Sequence, residues 1–214
     1  MRLINSWTEA EVVDTFHLDY QVESQQLQKW LEVEAIELSD FEQKSLERIR
    51  EKAFKYVRNW NETELTAKSV NSIFDVVDFD QMNYSLFLER PISGKVDEIE
   101  LKGVMDLVIA QGWATPKAPF FFLQELKKEL EAKNDPVAQL LLAMLVVQSQ
   151  SNSKEAMFGG YIVGRNWHFV ILHNRSYAIS EAYSATDKEE VVEITKILKA
   201  LKKRIEQQLK RINS

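Results

Sequence analysis

The sequence predicts an α/β fold in which helices cover a mixed β-sheet. Three observations lead to this prediction. Apolar residues recur at helical spacing up to about residue 78. From residue 84 to residue 127, apolar residues instead alternate with polar ones or form short aromatic runs, as they do in strands. A long amphipathic segment, Lys188 to Ile212, closes the chain as a further helix.

The first 59 residues are predicted to form an N-terminal helical extension, and residues 60 to 214 to form the core domain. Ser39 suits the start of one helix in the extension, because its hydroxyl can accept a hydrogen bond from the first backbone N–H groups. A further helix is predicted to begin near Asn61, ahead of the first strand. The sheet is therefore expected to start only after residue 78.

Three strands are predicted in the middle of the chain. The segment from Tyr84 to Arg90 is short and aromatic-rich, and the turn-forming residues from Pro91 to Gly94 predict that it ends there. The segment from Glu98 to Ala110 alternates between apolar and polar residues. After a predicted loop from Gly112 to Pro119, the segment from Phe120 to Lys127 is the third strand.

The last third of the chain returns to helices and strands in turn. The dipeptide Asp135-Pro136 predicts the start of a helix that runs to about Gln150, because aspartate caps helices and proline is tolerated at the first helical position. Three strands complete the predicted sheet: Met157 to Arg165, Trp167 to His173 and Tyr177 to Ser180.

The composition excludes several kinds of site. None of the 214 residues is cysteine, which excludes disulfides, thiol catalysis and cysteine-ligated zinc. Since only three histidines occur, a bound metal is expected to be a hard cation held by carboxylates. The N-terminus lacks a signal-like apolar run, and the longest apolar run, Leu140 to Val147, is too short to cross a bilayer. We therefore expect a cytoplasmic protein with no membrane partner.

The charge of the chain is negative overall but unevenly distributed. A net charge of −6 argues against a protein that coats nucleic acid non-specifically. The segment from Lys196 to Ser214, however, contains seven Lys or Arg and one acidic residue. Such a strip is most often a solvated helix face. It nevertheless leaves one basic surface through which an acidic enzyme can contact DNA.

Charged side chains occupy three positions in the predicted strands. Residues two apart in a strand project to the same face, so Glu125 and Lys127 point together. If the second and third strands pair as a hairpin, Asp106 meets Glu125 across them. Two close carboxylates attract a divalent cation, because the cation makes their negative charges tolerable. A lysine beside them can orient a water molecule or stabilise negative charge on phosphorus.

This pattern resembles the PD-(D/E)XK nuclease superfamily. The resemblance implies a restriction-endonuclease-like fold, with a central mixed sheet flanked by helices. It also implies that Asp106 and Glu125 bind Mg²⁺, that the backbone carbonyl of Leu126 is a further metal ligand, and that Lys127 positions the attacking water. The segment from Gly159 to Leu172 is similar to hairpins in uncharacterised bacterial members of the superfamily.

Two further residues extend the resemblance. The nuclease domains of type I restriction enzymes have a glutamate on a helix before the sheet, and Glu62 resembles it as a catalytic metal ligand, with Glu64 as the alternative. Many members also have a glutamine on the helix after the lysine, and Gln139 fits that catalytic position. Nucleases of the RecB type have a tyrosine four residues later, where this chain has Ala143. The proline that precedes the first aspartate in the motif is replaced by Met105.

The segment that carries Glu125 and Lys127 has a second interpretation. Residues 123 to 133 contain strong helix formers with leucines at helical spacing, which is typical of a surface helix. The aromatic run from Phe120 to Phe122 favours a strand instead. Local propensity does not decide between the two.

Single residues of the site also have simpler interpretations. Asp106 is alternatively a solvent-facing strand residue, although Val104 and Val108 on its side of the strand are apolar. Glu62 alternatively stabilises the N-terminus of its helix through the helix dipole. Gln139 is alternatively an exposed helix residue.

The sequence thus supports three functional hypotheses. We expect a Mg²⁺-dependent nuclease that hydrolyses phosphodiester bonds in DNA, with Mn²⁺ as a substitute for Mg²⁺. The acidic body of the chain favours a second hypothesis, a non-catalytic protein of nuclease-like fold that serves as an interaction module or as a subunit of a DNA defence or repair complex. The third is an all-helical interaction protein, if residues 123 to 133 are helical. DNA is the expected partner, and a homodimer and unidentified partner proteins stay open.

Overall fold

The computed structural model describes residues 2–128, 134–150 and 155–212. In these ranges, helices cover a mixed sheet of nine strands, which confirms the predicted α/β class. No helix within the described part of the chain combines the length and the apolar character that a membrane span requires.

Helices form both before and after the central strands. The α-helices of the described ranges are α1 (Glu9–Phe16), α2 (Gln25–Leu31), α3 (Asp40–Tyr56), α4 (Glu62–Leu65), α5 (Asn71–Val77), α6 (Pro136–Gln150) and α7 (Glu190–Ile212). A π-helical segment, Thr66–Val70, joins α4 to α5. Helix α6 begins as the sequence predicts, because Asp135 Oδ1 accepts hydrogen bonds from the backbone N–H groups of Val137 and Ala138.

The strands form one continuous sheet. They are β1 (Arg2–Leu3), β2 (Asp19–Tyr20), β3 (Tyr84–Val96), β4 (Ile99–Gln111), β5 (Lys117–Lys127), β6 (Met157–Val163), β7 (Asn166–His173), β8 (Ser176–Ile179) and β9 (Tyr183–Ser184). Strands β3, β4 and β5 are antiparallel, and β5 then pairs in parallel with β6. Strands β6, β7 and β8 continue the sheet in antiparallel order, and β9 pairs with β7. The short strands β1 and β2 lie parallel to β4 and β8, so the expectation that the sheet starts only after residue 78 is wrong.

Two hydrophobic clusters pack against the sheet. One contains buried residues of α2, α3, α5 and α7, and the other contains buried residues of α1 and α6. Helix α6 is buried all round, since every residue from Ala138 to Val147 is inaccessible to solvent. Residues 1–59 contribute to both clusters, through α1 on one and α2 and α3 on the other. The boundary after residue 59 stays a prediction.

Trp30 of α2 shows how the first 59 residues contribute to the core. Its ring lies edge-on to the rings of Phe158 and Phe169, with centroids 4.8 and 5.2 Å apart, and farther away to that of Phe122. Its indole N–H donates a hydrogen bond to the Ile197 carbonyl of α7 at 3.2 Å. One side chain therefore ties α2 to β5, β6, β7 and α7 at once.

Replacing Trp30 with alanine is expected to lower the free energy of unfolding by about 3–5 kcal/mol, because it leaves a cavity among aromatic rings. Urea denaturation monitored by circular dichroism measures this change. Phe41→Ala is the matched control, since this ring on α3 is 78% exposed. A Trp30→Ala variant as stable as the Phe41→Ala variant would show that α2 adds nothing to the core.

The predicted turn from Pro91 to Gly94 is wrong, because these residues lie inside β3. Within the described sheet, β3 pairs with β4 alone, and an edge strand tolerates a proline that lacks an N–H donor. The chain instead turns at Asp97 and Glu98, which both have positive φ angles. Two-residue hairpin loops commonly need such angles, since they match the twist of the flanking strands.

The surface-helix interpretation of residues 123 to 133 is wrong for residues 123–127, which form the end of β5. Residues 129–133 lie outside the described ranges. Within β5, Phe122, Leu123 and Leu126 are almost completely buried against the two clusters. Burial of apolar side chains on both faces of the sheet therefore outweighs the local helix propensity of this segment.

The basic strip on α7 is in part structural. Lys199 Nζ lies 2.5 Å from a carboxylate oxygen of Glu42 on α3. Lys202 Nζ donates a hydrogen bond to the Val77 carbonyl at the end of α5, at 3.1 Å. These two lysines hold α7 against neighbouring helices, so the strip as a whole is not a free surface for a polyanion.

Candidate active site

The backbone pairing between β4 and β5 ends next to Asp106. The ladder between them runs from Gln111 to Leu107, which pairs with Gln124. At the next position, Asp106 Oδ2 accepts a hydrogen bond from the backbone N–H of Leu126 at 2.7 Å. A side-chain carboxylate thus replaces a backbone acceptor at the end of the ladder. This contact fixes the Asp106 carboxylate beside the part of β5 that carries Glu125.

Glu125 is a buried carboxylate with two donors on one oxygen. Its side chain is almost fully inaccessible, and Oε1 accepts hydrogen bonds from Lys127 Nζ at 2.7 Å and from Gln139 Nε2 at 3.1 Å. Its second oxygen, Oε2, is buried and has no hydrogen-bond partner among the described residues. Gln139 is itself buried, so its interpretation as an exposed helix residue is wrong.

Asp106, Glu125 and Lys127 form a cluster of charged side chains, here called the carboxylate cluster. Burial and nearby like charges shift the pKa values of its members. Burial, together with the nearby Asp106 carboxylate, raises the pKa of Glu125 to about 8, against the opposing effect of Lys127. Burial also raises the pKa of Asp106, although the Leu126 N–H opposes this change. For Lys127, burial lowers the pKa, but Glu125 and Asp106 outweigh it and leave the pKa raised. Lys127 is therefore a cation at neutral pH.

Of the two candidate glutamates, Glu62 rather than Glu64 lies near Asp106 and Glu125. Glu64 forms the capping box at the start of α4 with Asn61 and an ion pair with Lys68 at 2.5 Å. The negative charge of Glu62 contributes to raising the pKa values of both Asp106 and Glu125. Glu62 is exposed to solvent, so the described contacts also allow the simpler interpretation as a helix-terminal carboxylate.

Glu89 is a site residue that the sequence did not single out. The flanking pairs Leu88–Leu107 and Arg90–Met105 place it opposite Asp106 across β3 and β4. Its φ angle is +50°, and its charge contributes to raising the pKa of Asp106. The sequence signal for this residue was a glutamate inside an aromatic-rich strand. A strand prediction alone does not give the register between two strands, so it could not place Glu89 opposite Asp106.

The apolar surroundings that the sequence predicts for Asp106 are present on one side only. Val104 is 55% exposed, so it does not form an apolar surround with Val108, which is buried. Met105 and Leu107 are both buried but belong to different clusters, which shows that the regular alternation of β4 is interrupted at Asp106. Asp106 itself is partly buried rather than fully solvent-facing, because it receives the Leu126 N–H.

The cluster as described falls short of a complete metal centre. Within residues 2–128, 134–150 and 155–212, no group of three or more His, Cys, Asp or Glu side chains is arranged to hold a metal ion. Its donor chemistry nevertheless fits a hard cation, since Glu125 has a buried oxygen without a partner and lies beside a second carboxylate. A divalent cation would offset the charge that burial disfavours.

No protein-family model matches the chain, and a search of curated proteins found no match either. The resemblance to PD-(D/E)XK nucleases therefore rests on the residues described above. The roles that it implies for Asp106, Glu125, Leu126, Lys127 and Gln139 stay predictions.

Proposed function

We propose that the chain is a Mg²⁺-dependent nuclease of the PD-(D/E)XK type that hydrolyses phosphodiester bonds in DNA. The observation that carries this proposal is the contact of buried Glu125 with both Lys127 and Gln139, next to Asp106. A buried carboxylate with a charged lysine, a raised pKa and an unsatisfied oxygen is typical of a functional site, because it costs stability.

The order of elements around the cluster supports a restriction-endonuclease-like fold. Helix α5 precedes the antiparallel strands β3, β4 and β5, and α6 then connects β5 to the parallel strand β6. The elements of the site come from this part of the chain. Asp106 and Glu125 come from the hairpin of β4 and β5, Gln139 comes from the helix that follows, and Glu62 comes from the helical segment that precedes β3.

Asp106, Glu125, the carbonyl of Leu126 and Glu62 would hold the cation in this proposal. A bound Mg²⁺ supplies a Lewis acid that polarises the phosphate and lowers the pKa of a bound water. Lys127 acts from beside Glu125, where its charge can stabilise negative charge on phosphorus and orient the attacking water. The proposal also includes a cytoplasmic location for this reaction. A homodimer stays open in it.

Supercoiled plasmid DNA tests this function directly. Wild-type protein is expected to nick and linearise the plasmid in Mg²⁺ or Mn²⁺, and EDTA is expected to stop the reaction. Asp106→Asn is expected to reduce cleavage at least about 100-fold, because the variant loses a carboxylate of the site. Asp97→Asn is the matched control. Asp97 is exposed, lies in the turn between β3 and β4, and pairs with Arg175. Cleavage that persists in EDTA, or in Asp106→Asn at the rate of the control, would refute the proposal.

Gln139 provides a separate test of the metal site. Gln139→Leu removes one of the two donors that orient Glu125, and loss of such a supporting contact typically weakens metal binding by about tenfold or more. Calorimetric titration with Mn²⁺ measures the change. Gln150→Leu, at the opposite end of α6, is the control because its amide contacts the Ser93 carbonyl instead. Equal Mn²⁺ affinities in the two variants would contradict a supporting role for Gln139.

The second candidate function is a non-catalytic protein that keeps this fold and binds a partner in a DNA defence or repair complex. It is favoured by the lack, within the described ranges, of a three-ligand group that could hold a metal. The engagement of Asp106 Oδ2 by the Leu126 N–H also favours it. Calorimetry discriminates between the two candidates: a folded wild-type protein that takes up neither Mn²⁺ nor Mg²⁺ is the non-catalytic protein.

A further inference from the structure

A row of polar and aromatic side chains continues from Glu125 across the sheet. Tyr161 of β6 pairs with Glu125 in the parallel ladder of β5 and β6. His168 of β7 pairs with Tyr161 in the next, antiparallel ladder. Paired residues of neighbouring strands project to the same face, and strands lie about 4.8 Å apart. Tyr161 is therefore the lateral neighbour of Glu125, and His168 lies one strand farther.

Tyr161 and His168 form a stacked pair that reaches solvent. Their ring centroids are 4.5 Å apart, and the ring planes differ by only 10°. Both side chains are half-buried, whereas Trp167 and Phe169 on the other face of β7 are 1% exposed. Two residues before Tyr161 on the same face of β6, Gly159 lies directly under Leu140 and Met144 of α6, so the helix covers the sheet there. The half-buried pair thus stands at the margin of the covered area, beside the carboxylate cluster.

The stacked pair is neutral at pH 7. Burial raises the pKa of Tyr161 to about 12, so its hydroxyl keeps its proton. His168 Nδ1 lies 3.3 Å from the Ser180 carbonyl, which can only accept, so the ring hydrogen belongs on Nδ1 when this contact is a hydrogen bond. Burial also lowers the pKa of His168. The pair therefore offers aromatic surface rather than charge.

The charges around Tyr161 determine which part of a nucleotide fits there. Glu9 and Asp135 are close enough to Tyr161 that their negative charges contribute to raising its pKa. These neighbouring negative charges disfavour a phosphate at this position, because like charges repel. A nucleobase has no such charge, and every base has a π-face that stacks on aromatic side chains.

We infer that Tyr161 and His168 are a stacking subsite for an unpaired nucleobase next to the phosphodiester held at Glu125. This inference rests on the proposed nuclease function and names its substrate class. A base inside a duplex has both faces covered by its neighbours, so only a single strand or a frayed end can place a base against the pair. DNA with unpaired bases beside the cleaved bond is accordingly the preferred substrate, and duplex DNA is cleaved with a higher KM.

Kinetics on two oligonucleotides test the inference. One is a single strand, and the other is the blunt duplex of the same sequence. Tyr161→Leu is expected to raise the KM for the single strand roughly tenfold, since loss of one stacked base typically weakens binding by about that factor or more. The kcat is expected to stay near the wild-type value, and Tyr161→Phe is expected to keep the wild-type KM because it keeps the ring. Tyr56→Leu, a change of an exposed tyrosine on α3, is the control.

A spectroscopic measurement separates stacking from a merely structural role. The single strand carries the fluorescent base 2-aminopurine beside the cleaved position, and fluorescence is recorded in EDTA, where the proposed function allows no cleavage. Wild type, Tyr161→Phe and the Tyr56→Leu control are expected to quench this base on binding, whereas Tyr161→Leu and His168→Gln quench it less. Thermal unfolding of each variant confirms that it is folded.

Three outcomes decide the matter. Selective loss of single-strand affinity and of quenching supports the subsite. Equal loss on single strand and duplex, or lowered thermal stability with unchanged KM and quenching, overturns the subsite and leaves the nuclease function standing. A wild-type protein that cleaves neither oligonucleotide in Mg²⁺ overturns the nuclease function itself.

Discussion

Replacing Lys127 with methionine is expected to reduce DNA cleavage by at least about 100-fold. Methionine is also a long, flexible side chain but carries no charge, so the loss isolates the ammonium group 2.7 Å from Glu125. A charged donor next to the reacting phosphate acts mainly in the transition state, and removing one such group typically costs about 10²–10³ in kcat. The effect should therefore appear in kcat, measured from initial rates of plasmid nicking in Mg²⁺.

Lys95→Met is the matched control for this experiment. Lys95 lies at the tip of the hairpin of β3 and β4, where it pairs with the exposed Glu98. This control variant is expected to cleave like wild type. If Lys127→Met and Lys95→Met cleave at the same rate, Lys127 has no catalytic role, whatever the fold of the protein.

Replacing Glu125 with glutamine is expected to stabilise the metal-free protein while it abolishes cleavage. The folded-state pKa of Glu125 is raised to about 8, above its ordinary value of 4.5, because burial disfavours the charged form. The folded state therefore holds this proton more tightly than the unfolded state. Wild-type stability consequently falls as the pH rises from about 4.5 to about 8, and the loss is complete above pH 8. Glutamine does not ionise, so the variant escapes this loss.

Urea denaturation in EDTA at pH 6 and pH 9 measures the difference. The stability advantage of Glu125→Gln is expected to grow by an amount on the order of 2 kcal/mol between these two pH values. Glu98→Gln is the control, because the Glu98 side chain is 94% exposed and its removal should leave the pH dependence unchanged. An advantage that does not increase with pH would show that Glu125 is already ionised in the folded protein at pH 6.

The sequence predicted the proximity of Glu125, Lys127 and Gln139 better than it predicted the elements around them. Period-two alternation put Glu125 and Lys127 on one face of a strand, and the structure joins them by an ion pair. The cap chemistry of Asp135 predicted where α6 begins, and this places Gln139 within reach of Glu125. These features depend on neighbours a few residues apart, which is the range over which local patterns are informative.

Other features depended on partners far away in the chain. The position of Glu89 opposite Asp106 follows from the register of β3 against β4, and no local pattern encodes register. The strand character of Pro91 follows from its place at the edge of the sheet. Strands β1 and β2 contain two residues each, which is too few for any periodicity to show. Tertiary pairing, rather than propensity, decides such segments.

The two short N-terminal strands have a consequence for how the chain folds. Arg2 pairs with Leu101, and Asp19 pairs with Ser176. Each of these contacts closes a large loop of the chain. Contacts between residues distant in sequence slow folding, because the entropy of loop closure is lost before the contact forms. A chain that emerges from the ribosome N-terminus first also exposes the buried Ile4 until β4 has been synthesised. We therefore expect slow refolding after dilution from denaturant, because both pairings need residues that lie far apart in the sequence.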